Sequence, residues 1–81
     1  MDWIEKDNSL NKTFEFSGFQ EAVEWMSLCV ERIEKMGHHP EWKNIYNKVF
    51  VKLRTHSAGN TITKKDRKLA ELLDEIYCQV A

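Results

Sequence analysis

The segment EKMGHHPEWKNIYNKVF, Glu34 to Phe50, sets His38 and His39 side by side ahead of Pro40, the one proline of the chain, and His56 follows a run of apolar residues. Imidazole titrates near neutral pH, so two that converge can divide the roles of proton donor and acceptor. That pairing suits an elimination or a proton shift. No serine or cysteine nucleophile with a positioned base can be read from the spacing, no glycine-rich phosphate loop is present, and no pair of carboxylates stands out. Zinc is the rival use of three histidines. Adjacent side chains of extended backbone point to opposite sides and no cysteine lies near as a further ligand, so no metal site is expected. A plainer role also exists, because imidazolium groups at the end of a helix favour its dipole.

All three histidines fall at junctions between elements, where scaffolds present functional groups. Trp3 to Lys6 reads as a short strand and Asp7 to Ser9 as a turn. Leu10, Lys12, Phe14 and Phe16 then alternate against Asn11, Thr13 and Glu15, which completes a hairpin. Ser17 with Gln20 three residues on has the form of a capping box, ahead of a helical stripe of Phe19, Ala22, Val23, Met26, Val30 and Ile33 that stops at Gly37. Beyond Pro40 a second hairpin turns near Tyr46 and Asn47, with Val49, Val51, Leu53 and Thr55 on one face. SAGN is a loop, Thr63 and Asp66 form another capping box, and Leu69, Leu72, Leu73, Ile76, Tyr77 and Val80 draw a second apolar stripe. The expected fold is α+β in the order ββαββα, a four-stranded antiparallel sheet with the helices packed on one face. If both hairpins share that sheet, the ends bearing His38 and His56 meet at one pocket.

Eighty-one residues fit one domain, residues 1–81, and 12 basic against 13 acidic side chains leave a net charge of −1. No block of like charge suggests a nucleic-acid or membrane surface. Cys29 and Cys78 lie far apart, belong to no CxxC pair and read as buried free thiols of a reducing compartment. The N-terminus has acidic residues where a signal peptide is basic, and no apolar run approaches a membrane span, so a cytoplasmic protein is expected. Trp42 and Tyr46 suit either a half-buried strand or the wall of a flat-ligand pocket. Asp66 is most simply a capping acid, and Pro40 directs the chain from helix to strand.

Glu34, His38-His39-Pro40, Trp42, Tyr46, Thr55-His56 and Asp66, in that order, resemble the signature of the pterin-4a-carbinolamine dehydratases. The likeness extends from Trp3 and Glu5 through Phe14, Phe16 and Phe19 to DRKLA at Asp66 to Ala70. It implies dehydration of 4a-hydroxytetrahydropterin to quinonoid dihydropterin, with no metal and no organic cofactor. It further implies His38 and His56 as the acid–base pair, His39 as the residue that binds and orients the pterin, and Trp42, Thr55 and Asp66 around the substrate, Asp66 also orienting a histidine. A homo-oligomer, dimer or tetramer, is the expected assembly, with no nucleic-acid partner. Two other roles go with the resemblance: a non-catalytic dimerisation partner of a transcription factor, and a dehydratase-like protein of a molybdopterin-related pathway. The chain departs from many members by starting almost at the first strand, and SAGNTITKKD is one residue longer than the usual loop.

Overall fold

The two hairpins do join in one sheet. In the computed structural model, which describes residues 3–80, β1 (Ile4–Lys6) pairs with β2 (Ser9–Glu15), and β3 (Glu41–Ile45) with β4 (Lys48–Leu53). Both turns rest on left-handed backbone: Asp7 and Asn8 have φ of 52° and 59°, and Tyr46 has φ of 51°. Such φ values match the twist of two-residue hairpins and favour Asn and Asp. Pairing of β2 with β4, Leu10 opposite Leu53 and Phe14 opposite Val49, gives four antiparallel strands in the order β1-β2-β4-β3. Asn47 fastens the second turn to the first hairpin: its carbonyl accepts from Phe16 N–H at 2.8 Å, and its amide donates to Phe16 O at 3.0 Å.

One face of the sheet is apolar because strand side chains alternate. Leu10, Phe14, Val49, Val51 and Leu53 are buried there with Ala22, Trp25, Cys29 and Ile33 of α1 (Phe19–Met36) and Leu69, Ala70, Leu73 and Ile76 of α2 (Lys64–Val80). Aromatic rings fill the middle, with Phe14 4.6 Å from Trp25 and edge-on to Tyr77 at 5.1 Å. Lys12 lies on this face too, its stem buried and its ammonium 2.6 Å from Asp74 Oδ1 of α2.

The fold is thus the expected ββαββα, and three local expectations need correction. The N-cap of α1 is Gly18, not Ser17, and no side chain caps it; Gln20 instead donates to Glu24 one turn along. The buried stripe of α1 runs through Ala22, Trp25, Cys29 and Ile33, while Phe19, Val23 and Val30 are exposed. The helix is rolled by roughly two-thirds of one residue's step of about 100° from the stripe read in sequence, which brings the large Trp25 ring inward. Of the two thiols only Cys29 is buried; Cys78 is exposed.

Candidate active site

Two stop signals place the histidines. Gly37 ends α1 in left-handed backbone, φ 71°, and its N–H returns to Ile33 O and Glu34 O. That closure is available to glycine without strain and frees the chain to turn at His38 and His39. At the other end, β4 runs into Thr55, whose N–H donates to Thr61 O at 2.8 Å, and His56 opens a single 3-10 turn, His56–Ala58. The expected loop is therefore ordered, with Gly59 and Asn60 closing it at φ of 80° and 56°. As a result His38, His39 and His56 line one cavity of about 310 Å³ with Gly37, Arg54, Thr55, Ser57 and Lys65.

Each imidazole is tied at one nitrogen. His38 is nearly buried, and its Nε2–H donates to Asp66 Oδ1 at 2.6 Å. A carboxylate only accepts, so Nδ1 is the nitrogen of His38 left to exchange a proton. His39 is exposed and donates from Nε2 to Glu34 Oε2 at 2.5 Å. His56 is also exposed; Nδ1 meets Asn60 Oδ1 at 2.6 Å, and Nε2 lies 3.6 Å from Glu41 Oε2. Glu41 in turn accepts from Arg54 Nε at 3.0 Å.

Asp66 is the hub behind the pocket. Fully buried, it accepts from His38 on one oxygen and from Thr55 Oγ1 (2.8 Å) and Thr63 N–H (2.9 Å) on the other. Thr63 caps α2, its Oγ1 accepting from Lys65 N–H at 3.3 Å, so the capping box read in the sequence is present and also serves the site. Burial pushes the Asp66 carboxyl up. The hydrogen bonds from His38, Thr63 and Thr55, with the charge of His38, outweigh it and hold the group below its ordinary value.

Of the residues the sequence singled out, the structure brings together the three histidines, Thr55 and, behind them, Asp66. Trp42 lies elsewhere: half-buried on β3, it packs against Trp25 at 6.0 Å and is not among the residues lining the histidine cavity. Tyr46 stands exposed at the hairpin tip. Sequence reading missed Glu41, Asn60 and Thr63 as partners of the site. Asn60 carried a signal, an amide four residues after a histidine beside a loop glycine. Glu41 carried one only once the register was known, since its partner Lys52 is two residues from Arg54.

The family model described as pterin 4 alpha carbinolamine dehydratase matches residues 1–76. A protein of Opitutus terrae is 40% identical over 91% of this chain and 76% of its own, and one of Rhizobium meliloti is 47% identical over 90% and 71%. Both names assign them provisionally to pterin-4-alpha-carbinolamine dehydratase. Among solved structures, a Brucella melitensis protein described as a transcriptional coactivator/pterin dehydratase superposes with a TM-score of 0.86 at 38% identity, over 93% of this chain and 81% of that one. A pterin dehydratase-like protein described as a RuBisCO assembly factor of the alpha-carboxysome has a TM-score of 0.81 at 19% identity over 95% and 90%, and so shares the fold. With a family model spanning nearly all its length and relatives at this level of identity, the chain belongs to the pterin-4a-carbinolamine dehydratase family.

Proposed function

We propose that the protein is a hydro-lyase that dehydrates a 4a-hydroxytetrahydropterin to the quinonoid dihydropterin. The observation that carries this is the meeting of three imidazoles from two separate junctions in one cavity, each tied at one nitrogen by a polar partner. Loss of the 4a hydroxyl as water needs a proton delivered to that oxygen, and forming the C4a=N5 double bond needs the N5 proton removed. His38, held through Nε2 by Asp66 Oδ1 at 2.6 Å with Nδ1 left to exchange a proton, is assigned as the donor. His56 is then the acceptor through Nε2, with Glu41 close enough to stabilise the imidazolium that results. His39 orients the pterin, and Thr55 holds Asp66. In this reading the protein serves pterin cofactor recycling without metal or organic cofactor, and acts in the cytoplasm.

The test is ultraviolet absorbance on chemically prepared 4a-hydroxytetrahydropterin at neutral pH. His38→Ala and His56→Ala are each expected to lose a hundredfold or more in turnover, the scale of a positioned acid or base, about 10²–10⁴. A wild type no faster than buffer would refute the reading.

A second role has its own observation. Phe19, Val23 and Val30 form an exposed apolar stripe along α1, beside the buried one. We propose that the chain forms homo-oligomers through it. Light scattering on the chromatographic peak is expected to give a multiple of the 9.6 kDa chain mass, and Val23→Asp is expected to lower it.

A further inference from the structure

We infer that Asn60 is a positioning residue that selects the tautomer of His56, holding the proton on Nδ1 and leaving Nε2 as the nitrogen that can accept one. The inference deepens the dehydratase reading and rests on it for its catalytic meaning. Two features support it. The Asn60 side-chain oxygen lies 2.6 Å from His56 Nδ1, and an amide oxygen only accepts, so the proton resides on the ring nitrogen. The loop that presents this oxygen is fixed: Asn60 sits in left-handed backbone at φ 56°, directly after Gly59 and directly before Thr61, whose carbonyl accepts from Thr55 N–H.

The consequence is specific to the base. Free imidazole in water prefers the proton on Nε2, which would leave His56 with its lone pair toward the loop and an N–H toward the substrate. Asn60 reverses that preference without adding a charge. A carboxylate in its place would also hold Nδ1–H but would favour the charged ring, which suits a donor such as His38 rather than an acceptor. The two histidines differ in the partner at the hydrogen-bonded nitrogen, a carboxylate oxygen 2.6 Å from His38 Nε2 and an amide oxygen 2.6 Å from His56 Nδ1. The other charged and titratable groups around His56 are Glu41 of β3, Arg54 just after β4, His38 and His39 of the α1–β3 junction and Lys65 of α2.

The experiment reads the tautomer directly, by imidazole nitrogen chemical shifts of uniformly labelled protein at alkaline pH, alongside turnover of 4a-hydroxytetrahydropterin. Asn60→Gly removes the acceptor while keeping the left-handed backbone unstrained, and Asn60→Asp keeps an acceptor. Wild type is expected to show His56 as Nδ1–H. Asn60→Gly should move it toward Nε2–H and lower kcat roughly tenfold with KM little changed, while the shifts of His38 and His39 stay in place. Asn60→Asp should restore the Nδ1–H form and displace the acidic limb of the pH–rate profile upward, since that limb reports deprotonation of the base. A wild-type His56 already protonated on Nε2, or an Asn60→Gly protein with unchanged tautomer and rate, overturns the inference. A protein with the Asn60-dependent tautomer but no dehydration by wild type upholds the assignment at His56 and refutes the dehydratase reading, so the two failures are distinct.

Discussion

Among individual residues, Asp66 carries the most consequence. It is one fully buried carboxylate satisfied by three donors from three segments, His38 after α1, Thr55 after β4 and Thr63 before α2. Its pKa is lowered in the folded protein, so its contribution to stability is present above the unfolded value of about 3.9 and is lost as pH falls through the folded value. Asp66→Asn must turn an amide N–H toward a donor and is expected to cost about 1–3 kcal/mol at pH 7. Denaturant titrations at several pH values should show the gap between variant and wild type closing below pH 4; a gap independent of pH refutes the linkage. Cys29 is the second residue with a distinct state: desolvation pushes its thiol up to about 12. With a disulfide-exchange reagent at neutral pH, one thiol per chain, Cys78, should react in the native protein and two in denaturant.

Between elements, the ends do the positioning. Gly37 stops α1 in a conformation most side chains resist, and the space where its Cβ would sit is open, so Gly37→Ala is strained in the backbone alone. That strain is expected to cost about 1 kcal/mol, read as a fall in the denaturation midpoint. Because His38 and His39 follow directly, the same substitution should also lower turnover; an unchanged rate would show that the cap sets stability without setting the site. The α2 N-terminus works in the same way, since its Thr63 and Asp66 finish a helix and support a histidine at once. This double use explains why the Asp66 spacing reads equally well as a cap or as part of the site.

For the whole molecule, the antiparallel β2–β4 pairing joins the two hairpins into one sheet, and the β3–β4 pairing sets the end of β4, with His56 just beyond it, beside the start of β3, with His38 and His39 just before it. The same packing decides which helix face is covered. Among the described residues no helix is long and apolar enough to cross a membrane, and the apolar stripe of α1 left outside is the surface proposed for self-association.

Strand alternation, the glycine and proline stops, the Thr63–Asp66 cap and the order ββαββα are local, short-range signals, and the sequence determines them by itself. The candidates for the proposed acid–base pair are legible in the same way, since the chain holds three histidines and places each at a junction. What the tertiary structure decided is everything that depends on two distant segments meeting. The roll of α1 was set by fitting the Trp25 ring among Phe14, Phe16 and Tyr77, and periodicity cannot weigh such a fit when Val23 and Val30 are apolar as well. Glu41 comes to serve His56 and Arg54 only through the β3–β4 register, and Trp42 packs inward on Trp25 rather than onto the histidine cavity. The nitrogen that each imidazole leaves free follows from which partner lies behind it. That is a matter of a few tenths of an ångström between folded segments, which no spacing along the chain encodes.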